Sequence, residues 1–380
     1  MIAMWQELLN RCKIALMLKT PFYDPSKSYE ENYDQGPFGS FKDGEPFDGV
    51  YPARGGAQGL RGEPTVDFLG QKVYLPFGIP AGPLLNSKFC KGAFEQGFDI
   101  AVYKTVRSAS FPCHPFPNVL AVKVEGDLTM EKAQEKLVAD GNFADPISIT
   151  NSFGVPSKEA SVWQEDVKKA ISYAGKGQVL VLSFMGTVRE GQTPEEFIAD
   201  YALAARQSMQ TGAKILEVNL SCPNIGNEGL VCYNLEMTEK VCKAIRAEIG
   251  DIPLILKVGY YKDDEDIKKL VEIAGKYAQA ISAINTIQAE IIDENGNQAL
   301  PGKNRSRSGV CGASIKWAGL EMVRRLKRVK GKGERVKIIG VGGVTKKEDY
   351  FELMDAGADA VMSATGAMWN PELAREIKEK

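Results

Sequence analysis

Histidine occurs once in this chain, as His114 in the proline-rich run FPCHPFP. Catalysis that rests on a histidine dyad or a multi-histidine metal site is therefore excluded. Cysteine is scattered rather than clustered. Its seven copies, at positions 12, 90, 113, 222, 232, 242 and 311, include no CxxC pair, which argues against a zinc site or an iron–sulfur cluster held by this chain. No metal ligand set is expected. The odd count, in a chain whose N-terminus does not read as an export signal, points to reduced thiols and a cytoplasmic setting. Long apolar runs are missing too. None approaches the ~20 residues needed to cross a bilayer, and the apolar residues of the N-terminus are broken by Gln6, Glu7, Asn10, Arg11 and Lys13. No stable membrane association is expected. Finally, neither sign of charge dominates: 47 Lys and Arg face 49 Asp and Glu, interspersed, for a formal charge of −2. That balance gives no footing for nucleic acid or an anionic membrane as partner.

What is present divides at about residue 65. Residues 1–65 hold a candidate amphipathic helix at Met1–Leu18, for which a membrane-surface helix is the alternative, then a Gly-, Pro- and aromatic-rich stretch without periodicity. Its tyrosine and phenylalanine content is too high for a free linker, so residues 1–65 read as an extension packed on the domain formed by residues 66–380.

From about residue 70, short apolar runs alternate with amphipathic helical stretches, the pattern of a parallel α/β fold. Strands are expected at Pro76–Pro80, Asp99–Lys104, Ser148–Asn151, Val179–Phe184, Ile215–Asn219, Pro253–Val258, Ala280–Asn285, Lys337–Val341 and Asp359–Ser363. Helices are expected at Lys158–Ala174, Pro194–Met209, Met237–Ile249, Asp263–Lys276, Ser314–Val329, Lys346–Ala356 and Pro371–Glu379. The run Ser148–Asn151 is one strand too many for an eightfold barrel and follows a long stretch without a clear helix. It is assigned to an insertion after the second barrel strand. The remainder predicts a (β/α)8 TIM barrel, with chemistry at the strand C-termini. An open doubly wound sheet is the runner-up, but the first strand lacks a GxGxxG turn into a helix.

Strand ends are then the places to look. The first ends in Ala81–Gly82, which lets a flat ligand approach the backbone. The second ends in Lys104–Thr105 and the fifth in Lys257 of LILKVG, two lysines that close apolar runs. The insertion ends in TNSFGVPS, the sixth strand in Asn285–Thr286. The fourth ends in KILEVNLSCPNIGNEG, where Asn219, Ser221, Cys222 and Asn224 crowd amide, hydroxyl and thiol groups around Pro223. In IIGVGGVTKKED, Gly342–Gly343 expose backbone N–H groups and Thr345 is the expected N-cap of the helix that follows. With Ala364–Thr365 after the eighth strand they form a candidate phosphate cup. A phosphate cup, two lysines, several amides and a thiol point to flavin mononucleotide (FMN), whose ring takes up negative charge.

NLSCPN, supported by YKT and TNSFGVP before it and by KVG, AINT and IIGVGG after it, resembles the class 1 dihydroorotate dehydrogenases over about residues 70–375. More loosely it resembles the pyrimidine domain of dihydropyrimidine dehydrogenases, which leaves dihydrouracil-type oxidation as the alternative activity. The resemblance implies oxidation of (S)-dihydroorotate to orotate in pyrimidine biosynthesis. Cys222 matches the base that removes the C5 proton; the membrane-bound class 2 enzymes have serine there. Asn151, Asn219, Asn224 and Asn285 match the amides that hold the pyrimidine ring, with Thr286 beside them. Lys104 matches the lysine near substrate carboxylate and flavin, and Phe153, Gly154 and Val155 the backbone turn that binds the carboxylate. Lys257 matches the lysine at the N1–O2 edge of the flavin. Ala81, Gly82, Thr105, Gly312, Gly342, Gly343, Ala364 and Thr365 match the remaining FMN contacts, to which Asn151 and Asn219 also belong. A homodimer is implied, with fumarate as electron acceptor or NAD reached through an iron–sulfur flavoprotein partner. The sequence departs from the pattern at Pro80 and Pro83, at Ala364 where glycine is commoner, and in its long N-terminal extension.

Overall fold

The computed structural model describes residues 20–47, 62–221, 231–331 and 335–379. The expected helix Met1–Leu18, and Cys222 with Asn224, lie outside the described residues.

An N-terminal arm comes first. It carries helices α1 (Tyr29–Gln35) and α2 (Ser40–Asp43). Ser28 and Glu31 start α1 with a reciprocal capping box, which satisfies two of the helix's unpaired N–H groups. Phe22 of the arm stacks on Phe41 at a centroid distance of 4.1 Å and meets Phe89 edge-on at 6.3 Å. Strands β1 (Val66–Phe68) and β2 (Gln71–Val73) form a hairpin whose Phe68 and Val73 join the inner core of the barrel.

The barrel strands are β3 (Phe77–Ile79), β4 (Ile100–Val106), β8 (Val179–Phe184), β9 (Ile215–Asn219), β10 (Leu254–Val258), β11 (Ala280–Ala283), β14 (Lys337–Val341) and β15 (Ala360–Met362). All eight pair in parallel and close on themselves. The intervening helices are α3 (Ser87–Glu95), α4 (Ala160–Ser172), α5 (Pro194–Met209), α6 (Leu235–Ile249), α7 (Asp264–Tyr277), α8 (Lys316–Lys330) and α9 (Lys347–Ala356), followed by α10 (Thr365–Trp369) and α11 (Leu373–Lys378). Side chains alternate along each strand. Ile100, Val102, Val179, Val181, Ile215 and Ile255 fill the barrel, whereas Tyr103, Leu180, Leu182, Leu216 and Val218 pack against the helices. The expected TIM barrel is the fold.

Several details differ from the sequence reading, among them α1, α2, α10 and strands β1, β2, β5 (Val119–Val122) and β6 (Lys136–Asp140), none of which was expected. Helix α3, capped by the Asn86 side chain, was not expected. Thr345 is not the cap of α9: Lys346 is, and the Thr345 N–H (2.9 Å) and hydroxyl (3.2 Å) donate instead to the Asp349 carboxylate. Strand β4 runs past Lys104, and its register with β8 slips between Tyr103 and Val106. Last, there are two insertions rather than one. The segment after β4 supplies β5, β6 and β7 (Ser148–Asn151); the segment after β11 supplies β12 (Ile287–Ile292) and β13 (Arg307–Gly312). These five strands close into a second, smaller sheet in the order β12-β13-β7-β5-β6. The second insertion escaped because residues 293–306 are polar and glycine-rich, which masks the alternation of buried Ile287, Ala289 and Ile291 with Gln288, Glu290 and Ile292 beside it.

Candidate active site

Between the C-terminal mouth of the barrel and the five-stranded sheet lies a cavity with about 1080 Å³ of empty space, its opening included. The barrel supplies the floor. Ala81 and Gly82 follow β3, and Asn219, Lys257 and Val341 end β9, β10 and β14. Asn285 and Thr286 follow β11, and Ala364 and Thr365 follow β15. The slip in β4 explains a pair that strict alternation would separate: Lys104 and Thr105 are consecutive, yet both line the cavity. A bulge of this kind re-aims side chains next to a site. The inserted sheet supplies the roof, with Asn151 at the end of β7 and Cys311 in β13, and Phe153 and Val155 beside them.

Polar groups in the wall are held from behind. The Asn285 amide donates to the Ser221 carbonyl at 2.7 Å, and the Asn219 side-chain oxygen accepts from the Ser221 N–H at 3.1 Å. Both contacts brace the chain at the point where it passes to Cys222. Thr105 Oγ1 lies 3.0 Å from Ser183 Oγ. Lys104 Nζ donates to the Thr105 carbonyl at 3.1 Å and sits 5.6 Å from the centre of the Tyr29 ring. Lys257 Nζ, fully enclosed, donates to the Ala81 carbonyl at 3.3 Å. Burial pulls the Lys257 pKa down, and the Glu217 carboxylate opposes that pull. Cys311 Sγ accepts from Thr365 Oγ1 at 3.3 Å and from the Asn151 amide at 3.5 Å, while burial pushes its thiol pKa up.

The turn Phe153–Val155 is fixed from behind. Its carbonyls are all occupied: Phe153 accepts from the His114 N–H, Gly154 from Arg107 Nη2 at 3.0 Å, and Val155 from Arg107 Nε at 2.9 Å. Arg305 holds the preceding residue, donating to the Ser152 carbonyl at 2.8 Å and its hydroxyl at 3.1 Å. Val155 has φ +53°, an uncommon state for a β-branched residue, of the kind that surrounding structure must enforce.

Not every residue picked from the sequence reaches the cavity wall. Gly154, Gly312, Gly342 and Gly343 lie beside it without lining it. Gly343 has φ +73° and no room for a side chain, since a Cβ there would stand 2.3 Å from Lys316 Cα. Other wall residues went unnoticed in the sequence: Tyr23 and Tyr29 of the arm, Gly309, Cys311 and Met368. Gly309 is the readable one in hindsight, because a Cβ there would meet Thr286 Oγ1 at 2.4 Å. Among the described residues no cluster of His, Cys, Asp and Glu could hold a metal ion.

A family model described as dihydroorotate dehydrogenase matches residues 141–380. The dihydroorotate dehydrogenase of Dictyostelium discoideum is 36% identical over 369 residues, covering 94% of this chain and 96% of that one. The chain belongs to the dihydroorotate dehydrogenase family. A second member, the catalytic subunit of the NAD(+)-linked dihydroorotate dehydrogenase B of Brachyspira hyodysenteriae, is 28% identical over 61% of this chain and 71% of its own. The fold is shared with a crystal structure of a dihydroorotate dehydrogenase from Eimeria tenella in complex with ferulenol, with a TM-score of 0.67 at 17% identity, covering 90% of this chain and 87% of that one. The dihydropyrimidine alternative draws no support from these family members. Members of the family are generally flavin-dependent. Among the described residues no helix is long and apolar enough to cross a membrane.

Proposed function

We propose that this protein oxidises (S)-dihydroorotate to orotate in pyrimidine biosynthesis, with FMN as its bound cofactor. The observation that carries the reading is one cavity wall bearing Lys104, Lys257, Asn151, Asn219 and Asn285 together at the barrel mouth. This donor set suits a flat, hydrogen-bonding ring that gains negative charge, stacked beside a small planar anion.

Bound FMN supplies the acceptor for the hydride that leaves C6 of the substrate. The chain's own residues do the rest. Lys104 meets the substrate carboxylate, and the N–H groups of Phe153, Gly154 and Val155 face the same group. Asn151, Asn219, Asn224 and Asn285 hold the pyrimidine ring, with Thr286 against its edge. Cys222 takes the C5 proton. A free thiol has a pKa of ~8.5, so turnover should rise as pH approaches that value. The cofactor's ring would be held by Ala81, Gly82 and Thr105, with Asn151 and Asn219 alongside and Lys257 as the cation for its N1–O2 edge. Gly312 would support it, and Gly342, Gly343, Ala364 and Thr365 would hold the phosphate. Residues 66–380 form the catalytic barrel, and residues 1–65 an extension whose Tyr23 and Tyr29 close one side of the cavity.

We place the protein among the soluble, cytoplasmic class 1 enzymes, acting as a homodimer. Either fumarate or, through an iron–sulfur flavoprotein partner, NAD removes the electrons. The test is the visible spectrum of the purified protein. Flavin absorption that bleaches with dihydroorotate, and does not bleach with dihydrouracil, is expected. A colourless protein that takes up no FMN would sink the reading. Retention of full turnover by Cys222→Ala would remove the base from it.

A further inference from the structure

Directly beneath the cavity floor the barrel encloses a carboxylate that nothing described so far uses. Glu217 lies between Ile215, which faces the barrel interior, and Asn219, which reaches the cavity, so alternation turns it inward. Its residue is fully enclosed, and neither carboxylate oxygen has a hydrogen-bond partner. A buried ionised carboxylate without hydrogen bonds is costly, and such a group stays only with compensation nearby.

The groups facing Glu217 can be named strand by strand. Ser183 of β8 and Ile255 of β10 sit opposite it in register. The Ser183 hydroxyl approaches the carboxylate and also touches Thr105 Oγ1 of β4. Lys257, two residues further along β10, is the cation paired electrostatically with it, and Cys311 faces Lys257 from the inserted sheet. Ser282 of β11 has a buried hydroxyl without a partner. The inward residues of β14 and β15, including Ile339, Val341 and Met362, are apolar. Glu217 and Lys257 thus form a carboxylate and an ammonium that balance each other in charge without meeting at ion-pair distance, while Lys104 stands at the cavity on β4.

We infer that Glu217 is a positioning residue that acts through Lys257: it takes up one proton when negative charge arrives in the cavity above that lysine. This rests on the flavin reading above. On that reading, hydride from C6 would bring two electrons and one proton to bound FMN and with them one negative charge. The C5 proton leaves through the base. With Lys257 charged and Glu217 ionised, the enclosed site would then carry an unbalanced negative charge. One proton from solvent converts the Glu217 carboxylate to a carboxylic acid and restores neutrality; no other bond changes. Thr105 lines the cavity and contacts Ser183, so the two hydroxyls form a short path for that proton. Burial pushes the Glu217 pKa up, and the Lys257 ammonium opposes that push.

The test uses the FMN-loaded protein and Glu217→Gln. The midpoint potential is followed against pH around neutrality, and proton uptake on reduction is counted with an indicator dye. The wild type should take up two protons per two electrons and the variant one, halving the slope. Reduced-minus-oxidised infrared spectra should show a protonated carboxylic acid gained in the wild type and missing from the variant. One proton per two electrons in the wild type, or two in the variant, overturns the inference. Should Glu217→Gln fail to fold, the wild-type proton count and the infrared spectrum decide alone. A protein that binds no FMN ends the functional reading and this inference with it. A flavin-loaded, active protein with a one-proton slope ends this inference alone.

Discussion

Arg107 holds from behind the turn Phe153–Val155, which we propose binds the substrate carboxylate. Its guanidinium donates to the carbonyls of Gly154, Val155 and Gly186 and stacks on Phe111, with its carbon 4.1 Å from the ring centre. Arg107→Ala would strip buried carbonyls of their donors, at about 1–3 kcal/mol each. Val155, with its positive φ, would be the first to relax. We expect a lower melting temperature and a KM for dihydroorotate raised about tenfold or more with a smaller change in kcat, read by calorimetry and steady-state kinetics; an unchanged KM would show that the turn does not depend on this arginine. At this scale the sequence was informative where a polar residue ends an apolar run, as at Lys104, Asn219, Lys257 and Asn285. It was silent on Arg107 and Arg305, because an arginine in YKTVRS or KNRSRS reads as ordinary surface charge. Only the fold turns these side chains inward against carbonyls.

Elements add constraints that no single residue carries. The turn from β14 into α9 passes so close to the start of α8 that Gly343 has no space for a methyl group, and its backbone is left-handed. Gly343→Ala combines a backbone clash with a strained φ, which costs about 1–3 kcal/mol for the conformation alone. The loss of stability should be accompanied by weaker FMN retention, measured as flavin per chain after gel filtration; full flavin content would separate this turn from the phosphate cup. Strands β7, β8, β9 and β14 and helix α5 run as their sequence patterns indicate. These are segments where apolar spacing, or the Thr193-Pro194 start with Glu196 completing a capping box, leaves one structure open. Helix α3 and strands β12 and β13 were not legible: α3 is short and follows a proline-rich turn, and the two strands are set among glycine, asparagine and charged residues. Their partners come from distant parts of the chain, so local pattern undersells them.

Across the whole molecule the buried thiols act in one direction. Burial pushes Cys113, Cys232 and Cys242 up from 9.0 to about 12. A group whose pKa is raised on folding favours the folded state below its unfolded pKa, and loses that contribution as pH climbs through the folded value. The protein should therefore lose thermal stability progressively between about pH 9 and 12, in reducing buffer so that disulfide exchange does not contribute; a flat melting temperature to pH 11 would contradict it. The N-terminal arm matters at this scale as well. Its aromatic residues were too many for a linker, but that they would reach the cavity as Tyr23 and Tyr29 follows only from where the arm crosses α3, with the Asn86 and Gln96 amides donating to the Tyr33 and Ser40 carbonyls.

The small sheet over the barrel has one more consequence. Its β7 and β13 pair Asn151 with Gly309, and β6 pairs with β12, so each insertion is completed by strands of the other. The roof cannot assemble on a growing chain until β13 has been made, after six of the eight barrel strands. For anyone recombining relatives of this protein, the two insertions are therefore one heritable part: exchanging either alone is expected to leave mismatched strand edges above the cavity, so a chimera should carry both from the same parent.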